Sequence, residues 1–376
     1  MTNLRRLPLF LIALLALAAN GRAKEDGTAQ ATGSKGITVA VITHAGGAHL
    51  GAYFNALAET EEATAVVLAD PDGTAEKEGR AALGDKLTAV YTDWTALYAK
   101  EKPTMALISM EARLAPEAIA AALKAGCHVL AEKPACVRVE DFEPLVTQAE
   151  STGRYLMLAL ANRLNPEIQK AKALIAEGAL GDLYNVQMNL IQDQTRLAST
   201  GYQSSWLADK SRAGGGHLSW LGIHWLDLAM YLTDAPITHV AGFAGNVGGE
   251  PIGIEDSVAL SVQFGNGTFG TMSSGYYLNT GSQSLLKIWG SKGWLQIDSD
   301  ARRRVRWHST ASGAPLTEVY NGEESHVAYT AWVRACVRAS AGLAAPPITA
   351  VESLRVLKVV FGTYDAAAKG ITIKVN

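Results

Sequence analysis

Gly126-Cys127-His128-Val129-Leu130-Ala131-Glu132-Lys133-Pro134 decides how the first half of this chain reads. A short apolar run, His128 to Ala131, is followed at once by a charged pair and a proline. Upstream, Pro116 near a helix start and Gly126 at its end frame the Ala-rich run Ala118 to Ala125, so helix and strand form one αβ step. Lys133 therefore projects from the carboxyl end of a strand, where a doubly wound domain opens its ligand crevice. The alternative for so short a motif is an exposed charge pair in a loop.

The flanking sequence repeats the pattern. Ile37 to Ile42 is nearly all apolar and rich in β-branched residues, as expected of a strand covered on both faces. Val66 to Ala69, Met105 to Ile108 and Tyr155 to Leu158 are of the same kind, with helical Ala/Leu/Glu stretches between them. Such alternation predicts βαβ units and a parallel sheet over residues 37–160, a Rossmann-type dinucleotide-binding domain. Asp70 ends the second strand at the distance expected for a carboxylate on an adenosine ribose. It favours NAD over NADP, because a carboxylate repels a 2′-phosphate.

The phosphate loop departs from the usual Gly-x-Gly-x-x-Gly. After Ile42 the chain reads Thr43-His44-Ala45-Gly46-Gly47-Ala48-His49-Leu50-Gly51. Thr43, Ala45, Gly46 and Gly47 are the candidates to meet a pyrophosphate at the following helix's N-terminus, and a tight turn without a ligand is the competing reading.

With Glu132-Lys133-Pro134 as anchor, the chain resembles the glucose-fructose oxidoreductase/inositol dehydrogenase/MocA (Gfo/Idh/MocA) family from Ile37 to Val375. The resemblance implies cofactor contacts from Glu132, Lys133 and Asn162, and a catalytic Lys133 beside a nicotinamide. The family's usual Thr-Pro-Asn-x-x-His becomes Met110-Glu111-Ala112-Arg113-Leu114-Ala115 here. That departure falls on positions that line the nicotinamide side of the crevice.

Residues 161–376 are expected to form an α+β domain with a large, mostly antiparallel open sheet, carrying the substrate on one face and an oligomer contact on the other. Its entry, Asn162-Arg163-Leu164-Asn165-Pro166, matches the family, as does the helix-ending Glu177-Gly178-Ala179-Leu180-Gly181. Ser257 to Phe264, Gly270 to Ser274 and Leu285 to Trp289 read as strands, punctuated by the turns Asn266-Gly267 and Gly290-Ser291-Lys292-Gly293. Within Gly214 to Asp227, the residues Leu218, Leu221, Trp225, Leu228 and Leu232 recur at helical spacing and form a buried stripe.

His224 aligns with the family's helix histidine, and Trp220 stands where the family has its partner Asp. An aromatic platform for a sugar ring thus replaces a proton-handling group. His217 is a further substrate candidate. Seven residues separate it from His224, about 10 Å along a helix, which disfavours a shared metal. Arg163 is also taken as substrate-binding. Lys210 and Arg212 are placed to contact substrate hydroxyls or carboxylates, or to be solvated.

Arg5 and Arg6 precede the apolar run Leu7 to Ala19, and Gly21-Arg22-Ala23 supplies small residues for cleavage. Residues 1–23 are thus expected to be a signal peptide, exported by the general or the twin-arginine route to the periplasm or medium. A run of 13 residues falls short of the roughly 20 that span a bilayer, so no membrane association is expected after cleavage. Residues 24–36 read as a flexible tether. Three cysteines do not make a disulfide framework, and a net charge of −3 gives no basic footprint for nucleic acid.

Together these features predict an exported, homo-oligomeric NAD(P)-dependent oxidoreductase acting on a sugar, glycoside or cyclitol hydroxyl, with Lys133 and His224 catalytic, NAD as cofactor and no metal. Two alternatives stay open. One is a glycosidase or lyase working through a 3-keto intermediate with bound NAD; the other is a non-catalytic carbohydrate-binding protein on the same fold.

Overall fold

Strands β1 (Ile37–Thr43), β2 (Ala63–Ala69), β3 (Leu87–Tyr91), β4 (Met105–Ser109), β5 (His128–Ala131) and β6 (Leu156–Leu158) form one sheet in the order β3-β2-β1-β4-β5-β6. Every pairing in it is parallel. The computed structural model describes residues 36–44, 46–298, 304–313, 315–321 and 328–375; the leader at 1–23, the tether before Gly36 and Ala45 lie outside the described residues. β1, β4 and β5 are buried almost throughout, because helices cover both faces. Those helices are α1 (Leu50–Glu59), α2 (Glu76–Leu83), α3 (Trp94–Glu101), α4 (Ala115–Lys124) and α5 (Glu143–Ser151). The chain reverses its direction of winding between β1 and β4, and there the carboxyl ends of the strands leave a crevice.

The second sheet follows α6 (Pro166–Ala176) and has nine strands. They are β7 (Leu183–Asp193), β8 (Ile237–Gly245), β9 (Ser257–Phe264), β10 (Phe269–Leu278), β11 (Ser282–Gly290), β12 (Gly293–Asp298), β13 (Arg304–Ser309), β14 (Leu316–Asn321) and β15 (Ile373–Lys374), ordered β14-β13-β12-β11-β7-β10-β9-β8-β15. Only β7 and β10 pair in parallel; the other ladders are antiparallel. Between β7 and β8 come the short helices α7 (Thr200–Gln203) and α8 (Lys210–Ala213), a π turn at Leu218–Gly222, and α9 (Ile223–Thr233). The π turn shifts the predicted stripe: Leu218, Leu228 and Leu232 are buried, whereas Leu221 and Trp225 stay partly exposed. α10 (Ala328–Ser340) packs on α1, and α11 (Ala350–Lys369) on β8, so both return the chain to the earlier elements.

Arg163 ties these elements together. Its Nε donates to both oxygens of Asp227 on α9 (3.1 and 2.9 Å), its Nη2 to Asp227 Oδ1 (2.7 Å) and its Nη1 to Glu352 Oε1 on α11 (2.8 Å). Glu352 also closes the capping box of α11 with Thr349. With Arg163 only 4% exposed and its guanidinium engaged on both sides, the expected substrate contact is corrected: this is a structural ion triad. Arg163→Met leaves Asp227 buried without its partner and is expected to lower the unfolding free energy by about 3–5 kcal/mol. Urea denaturation checks this. A loss below about 1 kcal/mol with weakened sugar binding would return Arg163 to the substrate site.

Candidate active site

Glu132 and Lys133 emerge from the end of β5 into the interior, 3% and 2% exposed. Glu132 Oε2 accepts the hydroxyl of Tyr53 on α1 and lies 3.1 Å from His49 Nδ1. Burial pushes the Glu132 carboxyl up, but the hydrogen bond from His49 and the charge of Lys133 outweigh it and hold the group below its ordinary value. Lys133 Nζ lies 3.7 Å from Glu132 Oε1, donates to the Trp220 carbonyl at 2.7 Å, and sits 3.4 Å from the centre of the Trp220 ring. Burial lowers the Lys133 pKa to about 8, against the opposing charge of Glu132. A lysine ready to exchange a proton near neutrality is the result.

Trp220 and His224 reach this point because of how their helix begins. Side chains at Gly215 and Gly216 would strike the Tyr364 hydroxyl and the Glu255 carbonyl, at 2.1 and 2.0 Å. The triglycine is therefore a close-packing device. Glu255 accepts the amides of Gly216 (2.6 Å) and Leu218 (2.9 Å) and the Tyr364 hydroxyl (2.8 Å), which satisfies the orphan donors of this helix end. A π turn follows, and within it the Trp220 carbonyl meets Lys133.

His224 Nδ1 is sealed from solvent without a partner, although the residue as a whole is only half-buried. Burial, then the nearby Lys133 charge, drive its pKa down to about 3. His217 points elsewhere: it is wholly buried, with Nδ1 2.7 Å from Ser274 Oγ and a pKa also lowered to about 3 by burial. Among the described residues no three His, Cys, Asp or Glu side chains gather as metal ligands would.

The two loops that depart from the family pattern meet each other. His44 Nε2 accepts the Glu111 amide at 3.0 Å. The Glu111 carboxylate takes Arg212 Nε at 3.0 Å, a second bond from Arg212 Nη2, and Arg113 Nε at 3.1 Å. Trp206 Nε1 donates to the Gly46 carbonyl at 3.0 Å. Gly47 must be glycine, since a Cβ there would lie 2.2 Å from Thr43 Oγ1 and 2.7 Å from the Ser109 carbonyl. Thr43 is buried under this turn, its hydroxyl on the His44 carbonyl. Trp206 meets Trp220 edge-on at 5.6 Å, and His49 stacks on Trp220 at 5.9 Å and lies tilted against Tyr329 at 5.1 Å. Aromatic rings thus roof Lys133.

Of the residues predicted from sequence, the structure brings Glu132, Lys133, Trp220 and His224 together and keeps Gly46 and Gly47 beside them under Trp206. Lys210 is not there: its ammonium lies over Tyr364, 5.3 Å from the ring centre, on a separate exposed groove with Phe361 and Asp365. Asn162 likewise lines a different cavity, of about 130 Å³, with Trp225 and Ser284. Sequence reasoning missed His49, Tyr53, Trp206, Tyr329 and the Glu111–Arg212 pair. His49 has a backbone φ of 58°, a conformation in which non-glycine residues are uncommon, but no sequence pattern announces it.

A parallel sheet with this strand order, joined to an open sheet that supplies a roof over a buried strand-end lysine, defines a two-sheet oxidoreductase of the dinucleotide-binding kind. The chain belongs to the Gfo/Idh/MocA family. Residues 37–160 match the profile described as "Oxidoreductase family, NAD-binding Rossmann fold", and residues 168–296 the GFO/IDH/MocA C-terminal domain. The D-glucoside 3-dehydrogenase of Escherichia coli (strain K12) is 26% identical over 235 residues, 59% of this chain and 64% of that one. The 2,7-anhydro-N-acetylneuraminate hydratase of Mediterraneibacter gnavus is 24% identical over 294 residues, 74% of each chain. A levoglucosan dehydrogenase solved with NADH and L-sorbose shares the fold, with a TM-score of 0.79 at 20% identity over 90% of this chain and 99% of that one. The chain spans between half and two thirds of the length of the sugar dehydrogenases it matches in sequence.

The residues at the crevice fit the adenosine and pyrophosphate half of a dinucleotide. Asp70, at the end of β2, engages the amides of Ala75 and Glu76 through Oδ2 (2.8 and 3.1 Å), while Oδ1 is buried and without a partner. α1 starts with no side-chain cap, so its first amides face the loop at Gly46 and Gly47 unclaimed by a side chain.

His128, His217 and His224 are held neutral in the fold, with pKa values lowered to about 4, 3 and 3, first of all by burial. The unfolded chain takes up protons on them near pH 6.5. Below that pH the unfolded state binds more protons, so stability is expected to fall as pH drops from about 6.5 towards 4. Melting temperatures across this range check it. His217→Asn should flatten the slope by about one proton; an unchanged slope would mean that His217 is charged in the fold.

Proposed function

We propose that this protein is an NAD-dependent oxidoreductase acting on a hydroxyl of a sugar, glycoside or cyclitol. The observation that carries the reading is Lys133, buried at the end of β5 with a pKa lowered to about 8 and packed against an aromatic face. Asp70, Gly46, Gly47 and the start of α1 would hold the cofactor, and bound NAD supplies a hydride acceptor. Lys133 in its neutral form takes the hydroxyl proton as the carbinol becomes a carbonyl. His224, neutral down to about pH 3, is a hydrogen-bonding partner and cannot replace Lys133 as the titrating group at neutral pH. Trp220 offers its indole as a platform for a ring and, with Trp206 and His49, excludes water. The names of the relatives support a carbohydrate substrate.

A second reading, a lyase or glycosidase using bound NAD transiently, draws support from Trp220. With an indole where the family places a carboxylate, Lys133 is left to act without that partner. Net conversion of a glycoside with no net reduction of NAD would favour it.

Lys133→Met preserves the apolar stem while removing the proton-transfer group. In a glycoside panel assayed with added NAD, turnover is expected to fall about a hundredfold to ten-thousandfold with sugar affinity largely kept. Because the neutral amine is the active form, kcat/KM of the unmodified protein should rise with pH through about 8. Unchanged turnover in Lys133→Met would end the proposal.

The leader supports export to the periplasm or medium, and the exposed Tyr184, Phe243 and Phe269 on the open sheet support a homo-oligomer. N-terminal sequencing of the exported protein is expected to start near Lys24, and sedimentation of the mature chain to give at least a dimer. An intact Met1 would remove the first claim, and a monomer the second.

A further inference from the structure

Arg196 stands just beyond β7, in a turn fixed from within: Asp193 Oδ1 accepts both the amide (2.8 Å) and the hydroxyl (2.7 Å) of Thr195. That carboxylate is engaged by its own turn. The Arg196 guanidinium instead lies over two aromatic faces, 4.8 Å from the centre of Tyr202 and 5.8 Å from that of Tyr276. No ion pair to Arg196 is formed among the described residues. Stacking of this kind orients the guanidinium plane and leaves its N–H edges for a ligand.

Beside it, two buried polar atoms have no partner. Tyr276 is 3% exposed and its hydroxyl makes no hydrogen bond, with Tyr202 close by but outside bonding geometry; His217 is wholly buried and its Nε2 is equally unpaired. Their rings meet edge to face at 4.5 Å. Buried polar groups are normally satisfied, so a hydroxyl and a ring nitrogen left open side by side call for a polar ligand. The charge of Arg196 also helps to lower the pKa of both Lys133 and His217, after burial, which places all three in one neighbourhood. Lys133 has Glu132 beside it. Asp193 feels the Arg196 charge but spends its Oδ1 on its own turn, and no carboxylate forms an ion pair with the guanidinium among the described residues.

We infer that the substrate carries a carboxylate, as in a uronic acid glycoside, which Arg196 receives while Tyr276 and His217 bond adjacent oxygens. This rests on the reading of the Lys133 site as a carbohydrate site. One planar, singly charged acceptor matches one guanidinium fork. A phosphate dianion would need further donors that this cluster does not offer.

Isothermal titration of the mature protein with methyl β-glucuronide, methyl β-glucoside and glucose 6-phosphate, with and without NAD, tests it. The glucuronide is expected to bind at least about tenfold more tightly than the other two. Arg196→Gln, a change at an exposed position, should bring it down to the glucoside's affinity, and Arg196→Lys should restore only part of the preference. Equal binding of acid and neutral glycoside, tightest binding of the phosphate, a preference that survives Arg196→Gln, or no sugar binding at all would overturn the inference. NAD binding without an acid preference would sink the inference alone. An acid preference with no NAD binding would sink the redox reading alone.

Discussion

The placement of one ammonium group organises the molecule around the crevice. Lys133 lies under Trp220, between an indole face, a backbone carbonyl and Glu132. A buried lysine is tolerable only where its charge is answered or its proton is easily lost, and both conditions hold here. Tyr53 and His49 hold Glu132, and Tyr53 and His49 are themselves placed by α1 and by Tyr329 of α10. The triglycine and Glu255 set the start of the π turn that delivers Trp220. The lysine's environment is thus assembled from both sheets.

The same contacts account for the two loops that depart from the family. Where the glycine pattern departs, Trp206 comes down on the Gly46 carbonyl. Replacing the usual segment after β4 introduces Glu111, which binds His44 on one side and Arg212 on the other. Together they form a latch between the crevice loops and the 206–212 segment.

How far the sequence discloses this depends on the range of the forces involved. Strands buried on both faces, such as Ile37 to Ile42 and His128 to Ala131, declare themselves by continuous apolar character. The edge strand β3 (Leu87–Tyr91), with only Leu87 fully buried, carries no such run and escapes notice. The Rossmann order and the open sheet follow from repeated local patterns, whereas the parallel β7–β10 pair inside that sheet depends on long-range packing. At the site, Lys133, Trp220 and His224 could be found because they align with a motif. Arg163 could not be assigned from its charge, since its partners Asp227 and Glu352 lie 64 and 189 residues away. The π turn is equally hidden, because an inserted residue in a helix changes which side chains share a face without changing composition.

Trp220 also constrains the chemistry through what it is not. A carboxylate in its place would answer the Lys133 charge from a second side and raise the lysine's pKa; the indole face attracts a cation but leaves desolvation dominant. The ammonium is therefore depressed by burial and opposed mainly by Glu132. His224, pushed to about 3, cannot share the proton at neutral pH. A proton taken up by Lys133 needs an exit within each turnover. Glu132, held below the ordinary carboxylate range, does not supply that exit at neutral pH. Beyond Glu132 stands His49, 3.1 Å away, so the Lys133–Glu132 pair continues into an imidazole.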